Sequence, residues 1–414
     1  MTAEQRETRE TRHYHAYPQG AIPAFLAYGF RPFFLLAPIY LVINMLLWSA
    51  MWAGLFTLNF TGNWLEWHIY ELLFGVTSAM MIGFILTAVP ELMDEVMPIV
   101  GKPLLGLVLL WILGRVSFWL MDWLGVLWVA LTNIPLLLIV VGLVVKPILA
   151  DPLKRQYSLL AMFMLVSVTQ TLYFAAKLNV LALDSFMLLK LSVGVFMMLV
   201  LVAVRLITMR GINEWMEQKG IDDVFYARKP FYNIAILAVF IYSIAEYLVP
   251  NNSLLVWLAF AAMAGILSTL SDFFNTDTSI VTRPFIWPLF MILVLLATGY
   301  GLIGFSGLLN EFVALNHFRH LLTMGALGLA YYVVLVIVVH THTGRELIDN
   351  NWIGFGGLLI LFATVLRSIA IPIWPEYTAQ LYSLSALVWA LPYLGFVILF
   401  HRWLLTPRVD GLKG

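Results

Sequence analysis

An all-helical protein that crosses a membrane about twelve times is what this chain predicts. Three observations carry that expectation: its apolarity, the spacing of its long apolar runs, and the placement of its basic residues. Hydrophobic residues fill 62% of the 414 positions and charged residues 11%, with a mean hydropathy of +0.92. A soluble domain of this length needs a charged surface facing water, and this composition does not supply one. A transmembrane barrel would instead show short segments of alternating polarity. Cysteine is absent, so disulfides, iron–sulfur clusters and thiolate metal sites are excluded. Histidine is left as the main side chain for a transition metal or haem.

Residues 1–31 read as a cytoplasmic tail, of which 1–20 are polar, alternate Arg with Glu and are unlike a cleavable signal peptide. Within it, His13 and His15 form a His-x-His with at most stray metal affinity. The membrane domain runs over 32–404. Apolar windows of about 20 residues fall at 33–56, 68–90, 103–122, 124–145, 157–179, 183–209, 230–249, 253–270, 284–304, 313–339, 352–371 and 378–403. The weakest division is at Met121-Asp122-Trp123, between the third and fourth windows. Residues 405–414 form a second tail, and the only sizeable soluble piece is the loop from Arg210 to Lys229.

Basic residues orient these spans. With the N-terminus inside, the cytoplasmic loops and tails hold 17 of the 23 Lys and Arg, and the opposite loops hold none outside the spans. So one-sided a split places both termini in the cytoplasm and supports an even number of spans. Three spans open on a base, a proline and an aromatic: Arg31-Pro32-Phe33-Phe34, Lys229-Pro230-Phe231-Tyr232 and Arg283-Pro284-Phe285. Proline suits a first helical turn, and the base is expected to snorkel to the headgroups beside its aromatic.

Six bases lie inside spans: Arg115, Lys177, Lys190, Arg205, Arg319 and Arg367. Each costs at least ~2.5 kcal/mol at mid-membrane and needs a partner, water or a purpose. All but Arg205 fall in the outer half, together with His68, Glu71, Glu246, His317 and His320. Independent placement would scatter them. Their gathering predicts a single polar cavity open toward the outer face, shared by spans 2, 3, 6, 10 and 11. His68 and Glu71 are three apart and share a helix face, an arrangement in which a carboxylate can orient a ligating ring. His317 and His320 repeat the spacing. Imidazoles brought to one depth by two helices suit an axial pair on haem iron or a copper site.

The stretch Asn310 to Arg345 concentrates this chemistry. Asn316-His317-Phe318-Arg319-His320 precedes an apolar run that ends at His340-Thr341-His342-Thr343-Gly344-Arg345. At ~1.5 Å per residue the run spans a hydrocarbon core, so the two clusters belong to opposite membrane faces. His340, His342 and, at the last span, His401 are expected to pack at the interface. Gly325, Ala326, Gly328 and Ala330, and Gly354, Gly356 and Gly357, are expected to permit close helix approach. No phosphate loop, nucleophile elbow, dinucleotide fingerprint or nucleic-acid signature is present.

Four blocks of the chain, taken in order, resemble the NnrS family. They are Phe30-Arg31-Pro32-Phe33-Phe34; Trp67 through Glu71-Leu72-Leu73-Phe74-Gly75 to Leu86-Thr87-Ala88-Val89-Pro90; Leu113-Gly114-Arg115; and His320-Leu321-Leu322-Thr323-Met324-Gly325-Ala326 with His342-Thr343-Gly344-Arg345. That resemblance implies a multi-pass protein of the bacterial inner membrane, containing haem (expected as b type) and with copper as a second candidate, tied to the nitric oxide response and denitrification. It implies His68, Glu71 and His320 as cofactor or site residues, with Arg115 and Arg345 as motif positions. The chain departs from the family at Tyr70, where a second histidine is usual; His317, one turn before His320, is a candidate replacement. The stretch Val204 to Met209 resembles the family only loosely.

Two functions of different class follow. The first is a haem protein that meets nitric oxide from the lipid, with His68, His320 and His317 as metal ligands and Glu71, Arg115, Arg319 and Arg367 around the cofactor. The second is a secondary transporter of a metal or small anion, which would place its site near the midplane. A third reading is an enzyme subunit needing a partner complex.

Overall fold

The computed structural model describes residues 17–57, 63–93, 96–154, 156–250, 252–276, 280–309, 315–346 and 351–414. The histidine-bearing tail at His13 and His15, and Arg155, lie outside them. Among the described residues there is no strand, and twelve helices are long and apolar enough to cross a membrane. They are α1 Phe30–Trp52, α2 Trp64–Leu92, α3 Gly101–Trp119, α4 Val126–Ala150, α5 Tyr157–Lys177, α6 Ser185–Gln218, α7 Lys229–Leu248, α8 Leu254–Phe274, α9 Ile286–Leu308, α10 Leu315–His342, α11 Asn351–Ile373 and α12 Pro375–Leu405. A short turn of helix, Met121–Leu124, separates α3 from α4 and stops at Gly125, whose φ of 80° suits a residue without a Cβ.

Helices α2, α6 and α10 form the interior, with 72–83% of their apolar windows buried, against 28% for α7 and α8 at the periphery. The last helix packs along the first. This closure brings the tails together at one end of the bundle, as an even number of spans requires. The expected soluble loop Arg210–Lys229 is half helix: α6 continues to Gln218, burying Ile212, Trp215 and Met216 at helical spacing. Asn213 then holds the returning strand of chain, accepting from Phe225 N at 2.7 Å and donating to Phe225 O at 2.9 Å.

Snorkelling does not describe Arg31, which is fully buried. Its Nη1 donates to the carbonyls of Trp403, Leu404 and Thr406 at 2.8–3.2 Å, and its Nη2 to Gly414 O at 2.8 Å. A guanidinium thus caps the unpaired carbonyls that end α12, where a cation is favoured. Arg283 lies over the Trp215 ring. At α7 the base that engages the aromatic is Arg228, over Phe231 and paired to Asp272 at 2.5 Å.

Beyond α12 the tail straps the end of α10. Arg408 Nη1 donates to His342 O, and Val409 N to Thr343 O. Asp410 lies where a Cβ on Gly344 (φ 75°) would stand, so glycine alone fits there. The Asp410 carboxyl is held below the usual carboxylate value, first by its hydrogen bond from Arg408, against a smaller upward push from burial. A depressed folded value means the strap's contribution is full above the unfolded value and fades as pH falls through the folded one. Asp410→Asn is expected to speed amide exchange over 406–414 at neutral pH, and this gap from wild type should close on acidification.

Three helices contain π-helical segments: Glu71–Thr77 in α2, Leu321–Leu327 in α10 and Leu366–Ala370 in α11. Such a segment breaks the i→i−4 ladder, and in lipid a freed carbonyl must find another donor. Helices α2 and α10 both have such donors. Trp111 Nε1 donates to Gly75 O at 2.9 Å, and Thr77 Oγ1 to Leu72 O at 2.7 Å. Trp389 Nε1 reaches Met324 O at 3.0 Å, and Tyr393 reaches Gly328 O at 2.7 Å. Gly328 lets the Trp389 ring in, since a Cβ there would stand 2.8 Å from it. Trp389→Phe removes the donor together with the pyrrole half of the indole. It is expected to cost at least about 1–3 kcal/mol, the desolvation of one orphaned carbonyl, with the lost packing against Gly328 adding to it, read by equilibrium unfolding in mixed micelles.

Candidate functional site

All three π segments lie at the end of the bundle away from the tails, and each adjoins a polar residue singled out by the sequence. His68 stands one turn before the first, His320 immediately before the second, and Arg367 within the third. Rare π turns re-aim side chains and recur at functional sites. Here they surround one cavity, open on one side, whose empty space including the open part is about 590 Å³.

Five helices line it. Met45 and Trp48 come from α1, His68, Leu72 and Leu73 from α2, and His320, Thr323, Met324, Leu327 and Tyr331 from α10. Arg367 comes from α11, and Tyr382, Ser385, Ala386 and Trp389 from α12. The walls are mostly apolar. Tyr331 is tied across to Thr77 by a hydrogen bond, joining α10 to α2 at the floor.

The histidines differ in what they offer. His320 Nδ1 is 2.8 Å from Asn316 O. A carbonyl only accepts, so the neutral ring carries its proton on Nδ1 and its Nε2 lone pair is free. That is the tautomer of a metal-ligating histidine. His317 Nδ1 is 2.8 Å from Arg367 Nη1. A guanidinium only donates, so His317 accepts through Nδ1 and holds its proton on Nε2, with no lone pair to spare. His68 lies flat against Trp48, ring centroids 3.7 Å apart and planes within 17°; its Nδ1 is buried with no partner among the described residues. His320 lies within electrostatic reach of His68, His317 and Arg367.

Other expected site residues fall elsewhere. The single cavity shared by spans 2, 3, 6, 10 and 11 resolves into separate networks, because residues at one depth face different sides of their helices. The Glu71 carboxylate does not orient His68; its Oε2 accepts from Arg115 Nη1 and Tyr40 OH, each at 2.6 Å. Arg115 also meets Asn133, and Asn133 in turn accepts from Tyr70. A Cβ on Gly75 would strike both charged groups, at 2.5 and 2.6 Å, so this glycine makes room for the ion pair. Tyr70 stacks on Phe118 and accepts from Gln170, on the side of α2 away from His68. Residues two apart on a helix do not share a face, so a side chain at position 70 belongs to the Arg115 network. Arg319 pairs with Glu246 of α7 at 2.5 Å, and Lys177 with Glu66 at 3.0 Å. Helices α3 and α6 do not line the cavity, whereas α1 and α12 do.

Trp48, Tyr382 and Trp389 were not singled out by the sequence, where interfacial aromatics are commonplace. The second cluster of α10 lies at the far end, as one continuous helix demands. His340 is buried against Phe400 and Trp403, and His342 meets Glu91 at 2.7 Å. Arg345 covers the Trp403 ring at 4.2 Å.

Among the described residues no three His, Asp or Glu side chains gather as an ion cage. Haem iron asks for only one or two side-chain ligands, so an imidazole from each of two helices above apolar walls fits it. A copper ion would need further donors; the thioethers of Met45 and Met324 face the same cavity and are of the soft kind that Cu(I) prefers.

No curated protein matches the chain. The family described as NnrS protein matches it over residues 24–408, nearly its whole length and every helix from α1 to α12, and the chain belongs to that family.

Proposed function

We propose that this protein is a haem-binding membrane protein of the bacterial inner membrane, acting in the response to nitric oxide or in denitrification. The observation that carries the reading is the meeting of His68 and His320 at one apolar-walled cavity, with the lone pair of His320 kept free by its bond to Asn316 O. These two residues hold the haem, and Met45 and Met324 are the added donors if copper is also present. A bound haem would supply a redox-active iron, which a small diatomic molecule could reach where one of the two imidazoles lets go. The protein's own part is to fix the tautomer of His320, to keep water out with Trp48, Leu72 and Trp389, and to offer a lipid-soluble gas an apolar approach. With the tails in the cytoplasm, as the basic residues indicate, the cavity lies in the outer half of the membrane.

The position of the cavity near one end of the bundle favours this reading over alternating access, which wants a site near the midplane. Protein purified after haem-replete expression is expected to show a Soret band at about one haem per chain. Protein free of pigment that also fails to take up added haemin would refute the reading.

A further inference from the structure

We propose that Arg367 makes this cavity a site for a planar anionic group of the XO₂⁻ type, a carboxylate or a nitrite-like oxyanion. The inference rests on the same cavity as the haem reading, and not on haem itself.

Arg367 lies on the π segment of α11, which turns it inward. One of its nitrogens is used, by His317 Nδ1 at 2.8 Å, and the Tyr382 ring lies under its plane at 4.3 Å. Both contacts hold the guanidinium in place, and neither neutralises it. The remaining cavity-lining groups are neutral or apolar: among the described residues no Asp or Glu lines the cavity, whereas Arg115, Arg319 and Lys177 each have a carboxylate. Arg367 is half-buried; a cation among apolar walls with no counter-charge is still disfavoured, and an incoming anion would offset that cost. The unused edge of a guanidinium presents two parallel N–H groups, which match two oxygens on one atom. His317, with its proton on Nε2, is a further donor nearby. Two sources supply such a group: the propionates of a haem, or a free small oxyanion.

The test uses the purified full-length protein in detergent. Sodium formate and sodium nitrite are titrated by calorimetry into haem-free protein, and haemin and haemin dimethyl ester are titrated by absorbance. Wild type and Arg367→Gln are compared. A loss of at least tenfold in formate or nitrite affinity in the variant assigns the site to a free oxyanion. If haemin instead binds at least tenfold tighter than its ester to wild type, and equally with it to the variant, the group is a propionate. Either result supports the proposal. Equal behaviour of the two proteins toward all four ligands overturns it. Should Arg367→Gln fail to fold, Arg367→Lys carries the same comparison: it keeps the charge and loses the fork, so weakened binding supports the proposal and unchanged binding overturns it. Arg367-dependent formate binding by a protein that takes up no haemin would leave the anion site standing and remove the haem reading alone.

Discussion

Arg115→Gln is expected to destabilise the protein by about 3–5 kcal/mol, because it leaves the Glu71 carboxylate buried without its charge partner. Glu71 is fully buried, and its Oε1 already has no hydrogen-bond partner among the described residues. Its Oε2 depends on Arg115 and Tyr40. Around the pair runs a chain of neutral groups, from Trp119 through Tyr40 on one side and from Asn133 through Tyr70 to Gln170 on the other. Glu71→Gln alone should cost a similar amount, now for an uncompensated guanidinium. The double variant Glu71→Gln/Arg115→Gln should recover most of the loss, since two amides can bond to each other and carry no charge. A double-mutant cycle by equilibrium unfolding in mixed micelles measures this directly. Additive losses would mean that the two charges are solvated separately and that the pair is not the anchor between α2 and α3. Gly75→Ala should act in the same direction without touching a charge, through the 2.5 Å and 2.6 Å approaches of both groups.

This pair also marks what the sequence can and cannot disclose. Long apolar runs specify where helices lie, because a bilayer core demands about 20 such residues whatever the neighbours do; the windows agree with α1–α12 to within a few residues at most ends. Helix α6 is the exception. Its last two turns mix Ile212, Trp215 and Met216 with Arg210, Asn213 and Glu214, so mean polarity hides an amphipathic extension that packing makes obvious. Depth along a helix is legible by counting from its end. Azimuth is less so, and it separates Arg319 from His320: adjacent residues point about 100° apart, one to Glu246 and the other to the cavity. The π segments escape sequence reading altogether, since nothing in Glu71–Thr77 or Leu321–Leu327 requires a wider turn until Trp111, Trp389 and Tyr393 arrive from other helices to satisfy its carbonyls. Arg31 escaped for a related reason. Its partners are main-chain oxygens more than 370 positions away, and main-chain oxygens carry no sequence signature.

His320→Ala and His317→Ala are expected to part company in haem content. The two rings are one turn apart and equally plausible as ligands from spacing, yet the hydrogen bonds set them in opposite tautomers. His320 gives its Nδ1 proton to Asn316 O and keeps Nε2 open. His317 spends its lone pair on Arg367. If haem is held as proposed, His320→Ala removes a bond to iron and should leave no Soret band after haem-replete expression, as should His68→Ala. His317→Ala removes only a neighbour of Arg367 and should retain haem, with its absorption shifted by the altered surroundings. His320→Gly with added imidazole should regain the band, because a free imidazole can occupy the vacated position; a purely structural role for His320 would not be rescued this way. Should His317→Ala lose haem while His320→Ala keeps it, the tautomer assignment is wrong and His317 is the ligand. The comparison therefore asks one question of a proton, which ring nitrogen carries it, and reads the answer in the colour of the protein.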